Sequence, residues 1–208
     1  GPWRSVDHSQ HGFFIESFVD ELAHAAGKDG YAFRRELLAD SPRHLKVLDT
    51  AAKMSGWDTP LPDKHGRGIA LVPSFGSIVA QVAEVDMSGS KPKVTKVHVA
   101  ADPGFVINPD GFTAQMESAI AYGLTAALYG DITLASGKVQ QSNFHDYPML
   151  RMGEMPAIEV ALINGDHQHL GGGGEPGLPP IAPAVTNAIF AATGKRIREL
   201  PLAKHDFA

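Results

Sequence analysis

Cysteine is absent from all 208 residues of the sequence. These residues therefore offer no thiolate nucleophile, no disulfide and no cysteine ligand for an iron–sulfur cluster. Apolar runs are short, since none approaches the roughly 18 residues that a membrane-spanning helix needs. The N-terminus also lacks the charged and apolar regions of a secretory signal. The composition is nevertheless that of a folded protein with a real core, because 43% of the residues are hydrophobic.

Concentrated positive charge is missing as well. The net charge is −5, the pI is near 6.0, and charges of both signs are scattered along the chain. A nucleic-acid-binding surface usually shows a basic stripe or patch. The sequence therefore predicts that nucleic acid is not a partner. An initiating Met is also missing, and from the opening at Gly1 we expect a processed product, a tag remnant or part of a longer protein.

Glycine, by contrast, is concentrated in residues 171–180, GGGGEPGLPP, which we call the glycine loop. Glycines let a ligand approach the main chain closely, so this loop favours a binding role. The prolines suit the first turn of a helix, which we predict to open between Pro176 and Pro183 and to end at Gly194. Glu175 would then lie at the mouth of that helix, where the dipole favours a carboxylate anion that can act as a base.

Two other interpretations of the glycine loop stay open on composition alone. The loop is compatible with a flexible surface segment that carries a solvated glutamate. It is also compatible with a phosphate cradle, because glycines ahead of a helix suit anions. Its spacing, however, matches neither the dinucleotide-binding pattern nor the P-loop pattern, which also requires a Lys followed by Ser or Thr.

The order of the predicted elements is that of an α+β fold. Residues 1–56 are predicted to form a loop, at residues 1–12, followed by three helices. Residues 57–65 carry two prolines and are interpreted as a linker out of this helical unit. Residues 66–208 form the remaining α+β segment, which contains the glycine loop.

Within the third segment, the apolar residues first alternate with a period of two. This pattern predicts a three-strand antiparallel meander, with its clearest turn at Met87–Ser90. A long apolar helix is predicted to open at Asn108, and short strands return before the glycine loop. The sequence contains no internal repeat, and its only low-complexity tract is the four glycines.

Several polar residues are candidates for a site. Gln115 lies on the long apolar helix, where a polar side chain needs a hydrogen-bond partner or a ligand. Arg4 follows Trp3 and is compatible with a stacked surface pair or with a fork for phosphate or carboxylate. The histidine pairs 8/11 and 167/169 lack a third ligand at short spacing, so we predict solvated loop histidines and no metal site formed by side chains.

Four segments in the same order resemble one enzyme family. These are the molybdopterin-binding large subunits of the isoquinoline 1-oxidoreductase and aldehyde oxidoreductase group, within the xanthine oxidase family of molybdenum hydroxylases. The segments are GPWRSVDHSQ with the following FFIESFVDELAHAAGKDGYAFRRELL, GIALVPSFGSIVAQVAEV, INPDGFTAQMESAIAYGLTAALYG, and GGGGEPGLPPIAPAVTNAIFAATGKRIRELP. The resemblance covers essentially the whole chain and implies part of a molybdenum-cofactor-binding domain, a mixed sheet with packed helices.

The resemblance also implies an activity and the residues that carry it. The implied reaction is the oxidative hydroxylation of an N-heterocycle or an aldehyde, with water as the source of oxygen. Glu175 matches the general base of the family's Gly-Glu-Pro motif. Gln115 matches the glutamine that contacts the pterin, and Arg4, Gly173 and Gly174 match positions that line the cofactor region.

The cofactor and partners follow from the same resemblance. The implied cofactor is molybdopterin, in its cytosine dinucleotide form. The implied partners are the remainder of the large subunit, a small [2Fe-2S] subunit that carries the iron–sulfur clusters, a cytochrome and a small-molecule substrate. The implied location is the bacterial periplasm or the membrane surface, and otherwise the cytoplasm.

Departures from the family pattern qualify these expectations. Asp7 stands where glycine is usual, and Ala101–Gly104 replaces a more usual Asp-Cys-Gly. The family's large subunit is several times longer, so we expect its C-terminal part, without bound molybdenum or activity when isolated. A non-catalytic fold remnant or interaction domain that lacks bound cofactor is the alternative. Restoration of turnover by the missing part would separate the two.

Overall fold

A computed structural model describes residues 3–166 and 168–207. Three helices are followed by three strands, and the rest of the chain mixes helices and strands, so the predicted α+β architecture is confirmed. The helices are α1 (Val6–Ala25), α2 (Gly30–Leu37), α3 (Pro42–Ser55), α4 (Pro109–Leu128) and α5 (Ile181–Thr193). The strands are β1 (His65–Ser74), β2 (Ser77–Asp86), β3 (Lys93–Asp102), β4 (Leu134–Ala135), β5 (Lys138–Val139) and β6 (Ala157–Leu162). Short 3₁₀ turns lie at Met152–Glu154 and Leu202–Lys204.

The main sheet has the strand order β1-β2-β3-β6. The first three strands are antiparallel neighbours, which confirms the predicted meander and its turn at Met87–Ser90. β6 pairs with β3 in parallel, so the sheet is mixed. The connection between these two strands includes α4, as a parallel pair requires a long crossover.

Helices cover both faces of this sheet. On one face, α4 and α5 bury a cluster that includes Ile120, Leu124 and Ile189. On the other face, α3 packs Val47 and Leu48 against the sheet. Burial of these apolar side chains is the main source of stability. Both faces of the central strands are covered, which is why β2 is a nearly continuous apolar run.

Two glycines of β1 allow α5 to lie directly against the strand. A Cβ atom on Gly68 would come within 3.0 Å of the backbone of Ala184 and Ala188, and one on Gly66 would meet Ala188 as well. Larger residues would push the helix away from the sheet. This close contact fixes the start of α5, and hence the end of the glycine loop that precedes it.

The prediction of a loop at residues 1–12 was wrong, because α1 already begins at Val6. The first turns of α1 are polar, so the sequence shows no apolar period there. The helix is held by packing at Gly12, where a Cβ atom would lie 3.0 Å from Pro179 O, and at buried Phe13. Tertiary contact with the glycine loop therefore extends a helix whose local sequence suggests turns.

The other predicted helices are confirmed. α2 begins after Asp29, whose side chain accepts a hydrogen bond from Ala32 N–H, and α3 ends at Gly56 in the left-handed conformation. α4 begins at its Asn108 cap, and α5 ends at Gly194. The division at residues 57–65 stays a prediction. No helix among residues 3–166 and 168–207 has the length and apolarity to cross a bilayer.

Candidate active site

The glycine loop is held at its start by the sheet. Gly171 N–H donates to Pro103 O at 2.8 Å, and Gly172 N–H donates to Phe75 O at 2.8 Å. A Cβ atom on Gly171 would come within 3.0 Å of the Gly76 backbone, so only glycine fits there. Gly171 and Gly172 are thus structural and residues 176–180 are buried, so Gly173 and Gly174 between them form the part of the loop that can face a ligand.

A pocket of about 290 Å³ lies beside this part of the loop, and its wall includes Gln115, Gly173 and Gly174. Phe112 and Leu170 supply apolar surface to the same wall. Among the described residues, the N–H groups of Gly173, Gly174 and Glu175 have no hydrogen-bond acceptor. The pocket therefore combines apolar walls with main-chain donors, a combination that suits a small polar ligand.

Arg4 joins the glycine loop to α4. Its Nε donates to Gly174 O at 2.9 Å, and its Nη2 donates to the same oxygen. Nη2 also donates to Gln115 Oε1 at 3.2 Å, and Nη1 donates to Ser118 Oγ at 3.1 Å. The guanidinium lies 5.8 Å from the centre of the Tyr122 ring. A planar group with several fixed donors is suited to hold three separate chain segments in one geometry.

Glu175 lies at the start of a helix, but the helix is α1 and not α5. Glu175 Oε1 accepts a hydrogen bond of 3.0 Å from Ser5 N–H, and Ser5 is the residue that caps α1. The predicted helix, α5, starts at Ile181, beyond an intervening turn. Because the N-terminus of any helix favours an anion, a carboxylate suits this position even though the helix differs from the predicted one.

All five predicted site residues lie in one place. Arg4 and Glu175 are 171 positions apart in the chain, yet Arg4 binds Gly174, the residue before Glu175, and Ser5, the residue after Arg4, binds Glu175. Gln115 meets Arg4 through its side-chain oxygen. Gln115 is exposed, although its apolar helix suggested burial. The roles of these residues stay predictions, while the structure shows that the residues lie close together.

Ser5 was missed by sequence reasoning. It is fully buried, and its Oγ donates to Glu175 O at 2.7 Å in addition to the bond from its N–H. No local pattern distinguishes Ser5 from other loop serines, because its importance depends on a contact across 170 positions.

Asp102, at the end of β3, holds the turn whose Pro103 O accepts the hydrogen bond from Gly171 of the glycine loop. Asp102 accepts hydrogen bonds from Arg43 Nε at 2.8 Å and from Gly104 N–H at 2.7 Å. Burial raises the pKa of the Asp102 carboxyl, but the Arg43 and Gly104 hydrogen bonds outweigh it and the net shift is downward. The turn that carries Pro103, the acceptor for Gly171, is therefore anchored by a charge pair of which the carboxylate is buried and Arg43 is partly exposed.

The histidines are dispersed. His8 lies on α1 rather than on a loop, with its ring 4.9 Å from that of Phe75. His169 Nδ1 is hydrogen-bonded to Asp166, and His167 lies outside the described residues. Within the described part of the chain, no three His, Cys, Asp or Glu side chains are grouped as metal ligands.

A glycine loop with free main-chain donors, a glutamine held by Arg4 and a carboxylate held by Ser5 N–H lie side by side, an arrangement typical of the class of ligand-binding domains. The comparison with known families gives this class its name. Residues 19–156 match the family model described as the molybdopterin cofactor-binding domain, and the chain belongs to that family. The resemblance drawn from the sequence is confirmed.

Two curated relatives and one solved structure place the chain more closely. It is 41% identical over 204 residues to the beta subunit of isoquinoline 1-oxidoreductase from Brevundimonas diminuta, covering 96% of this chain and 26% of that protein. It is 33% identical over 219 residues to the B subunit of nicotinate dehydrogenase from Pseudomonas putida, covering 96% and 18% respectively. The aldehyde oxidoreductase structure from Desulfovibrio desulfuricans matches with a TM-score of 0.54 and 25% identity, over 61% of this chain and 14% of that one. The chain thus spans about a quarter or less of each of these relatives.

Proposed function

We propose that this chain forms the cofactor-facing part of a molybdenum hydroxylase in which Glu175 is the general base. The observation that carries the proposal is that Arg4 binds both Gly174 and Gln115, which line one pocket, while Glu175 directly follows Gly174 and is held by Ser5 N–H. Family membership supports the molybdenum-dependent oxidoreductase class. The substrate class we propose is an N-heterocycle or an aldehyde, with water as the source of oxygen.

The residues present fit a molybdopterin group. A pterin offers hydrogen-bonding edges, and its side chain carries a phosphate; both need donors. Gly173 and Gly174 provide free main-chain N–H groups, and the side-chain Nε2 of Gln115 has no partner among the described residues. No atom lies within 4 Å of the position that a Cβ on Gly174 would take, so the loop is open on this side.

When bound, the cofactor would supply a two-electron redox centre at which the substrate is hydroxylated. Glu175 would take up the proton that this reaction releases. Its Oε1 is held by Ser5 N–H, while its Oε2 has no hydrogen bond within the described residues and is available for that proton. Arg4 would act indirectly, because its donors are already bound to Gly174, Gln115 and Ser118. Such rigid support is what positions a general base.

The remaining proposals concern the assembly. The cofactor we propose is the cytosine dinucleotide form of molybdopterin. Because this chain has no cysteine, the iron–sulfur clusters would be held by a small [2Fe-2S] subunit, with a cytochrome as a further acceptor. The remainder of the large subunit would complete the cofactor site. The bacterial periplasm or membrane surface, and otherwise the cytoplasm, is the proposed location.

Glu175→Gln in the assembled enzyme tests the central role. The amide keeps the size and polarity of the side chain but cannot accept a proton. We expect kcat to fall by about 10²- to 10⁴-fold, the usual contribution of a general base, with an unchanged molybdenum content.

Glu117→Gln is the matched control, because Glu117 is an exposed residue of α4 with no hydrogen bond or ion pair to the described residues. It should leave kcat unchanged. Turnover of Glu175→Gln at the wild-type rate, with full molybdenum, would disprove the role of Glu175 as the base.

A further inference from the structure

Ser5 binds Glu175 through both its main chain and its side chain. Ser5 N–H donates to Glu175 Oε1 at 3.0 Å, and Ser5 Oγ donates to Glu175 O at 2.7 Å. Ser5 has no solvent exposure, so these bonds are made away from competing water. Two bonds between one pair of residues fix both the backbone of the glutamate and the end of its side chain.

The hydroxyl of Ser5 does not make the hydrogen bond that is usual for a serine at the start of a helix. Serine at the cap position of a helix usually accepts a hydrogen bond from an N–H group in the first turn. Ser5 caps α1, yet its side chain makes no capping bond and binds Glu175 instead. The first turn of α1 therefore gives up a stabilising interaction in favour of the glutamate.

The backbone of Ser5 is also unusual. Its φ of 69° lies in the left-handed region, which residues other than glycine rarely adopt. Such a conformation persists only where the surroundings impose it, and it is frequent at functional sites. Here Ser9 Oγ donates to Arg4 O at 2.8 Å and holds the peptide group that carries the Ser5 N–H. The strained turn points this N–H at the Glu175 carboxylate.

We infer that Ser5 is a positioning residue for Glu175, an inference that rests on the proposed function. Ser5 N–H fixes Oε1, and Ser5 Oγ fixes the main chain from which the side chain projects. Oε2 is left free to accept a proton in one defined direction. Ser5 acts only through the glutamate and is assigned no contact with substrate or cofactor.

A double-mutant cycle in the assembled enzyme tests this inference. Ser5→Ala removes the bond to Glu175 O, and we expect kcat to fall about 10- to 100-fold with KM nearly unchanged, since small misplacements of a catalytic group have effects of this size. In a Glu175→Gln background, the same substitution should change kcat by less than about 2-fold, because residues that act as a unit are not additive.

Ser5→Gly separates positioning from folding. Glycine also lacks the hydroxyl but adopts φ of 69° without strain, so the thermal stability of Ser5→Gly should equal or exceed that of Ser5→Ala. Its kcat should nevertheless be as low as that of Ser5→Ala. A crystal structure of Ser5→Ala should show the Glu175 carboxylate displaced or in two conformers, a readout that does not depend on turnover.

Three results would overturn the inference. One is wild-type kcat in Ser5→Gly, which would mean that the Ser5 hydroxyl is not needed to position Glu175. Another is a full multiplicative effect of Ser5→Ala in the Glu175→Gln background, and the last is an unmoved Glu175 in the Ser5→Ala crystal structure. Full activity of Glu175→Gln alone would instead disprove the proposed function, whatever the effect of Ser5.

Discussion

Gly104 shows how one residue can support a site from a distance. Its φ is +85°, and a Cβ atom there would come within 3.0 Å of His169 O, two residues before the glycine loop. Its N–H is held by Asp102. The turn at Gly104 therefore sets how closely the chain that leads into the glycine loop approaches the end of β3.

Gly104→Ala should destabilise the protein through both strain and clash. The positive φ alone costs about 1 to 3 kcal/mol for a residue with a Cβ atom. Gly27→Ala is the matched control, since Gly27 has φ +65° but no atom within 4 Å of the position that a Cβ would take. We expect a clearly larger loss in unfolding free energy for Gly104→Ala, measured by chemical denaturation. Equal losses would show that His169 moves away from the added Cβ atom without a measurable loss in unfolding free energy.

The residues of the candidate site could be predicted from the sequence only where a local pattern or the family resemblance pointed to them. Glu175, Gly173 and Gly174 lie in a glycine and proline pattern, whereas Gln115 and Arg4 are candidates as isolated polar residues to which only the family resemblance gives a role. Ser5 was not predictable, because a buried serine that binds a residue 170 positions away leaves no local signal. The helix that faces Glu175 was wrongly predicted for the same reason, since it is set by tertiary contact.

Among the elements, α3 and β3 are joined by a charged contact in addition to their apolar packing. Arg43 at the start of α3 binds both oxygens of the Asp102 carboxylate, at 2.8 and 3.0 Å, and its main-chain oxygen at 3.1 Å. Asp102 ends β3 and is only 5% exposed. A buried carboxylate with these partners is stabilising in its ionised form.

This pair predicts a loss of stability in acid. The folded pKa of Asp102 lies below its ordinary value of 3.8, so its contribution is complete above about that pH and is lost as the pH falls through the folded pKa. The unfolding free energy of Asp102→Asn, measured from about pH 6 to about pH 2, should therefore fall less steeply below about pH 4 than that of the wild type.

Asp40→Asn provides the control for this measurement, because Asp40 is exposed and has no ion pair within the described residues. Its pH profile should keep the wild-type steepness. Identical profiles for Asp102→Asn and the wild type would show that the carboxylate does not contribute in this range.

Most elements could be predicted because their local signals agree with the fold. Segments rich in β-branched apolar residues and bounded by Gly, Ser or Pro mark β1 to β3, and Asn108 and Gly194 mark helix ends. The start of α1 could not be predicted, since its polar first turns are helical only through packing against Pro179. The sequence also did not indicate that β6 pairs with β3 in parallel, because the two strands are separated in the chain by a long connection that includes α4.

At the scale of the whole molecule, this chain of 208 residues spans only part of the length of its relatives. The match to the Brevundimonas diminuta relative covers 96% of this chain but only 26% of that protein. The donors of the glycine loop and Gln115 face outward from this chain, as expected if another segment completes the cofactor site. We therefore expect the isolated chain to hold neither molybdenum nor activity.

The molybdenum content of the native complex that contains this chain tests the proposed function most directly. The complex would be purified from its host through a tag on this chain and measured by elemental analysis, with the lone chain measured in parallel. We predict about one molybdenum atom per Glu175 in the complex and none in the lone chain. A complex without molybdenum, or a lone chain that holds it stoichiometrically, would contradict this prediction.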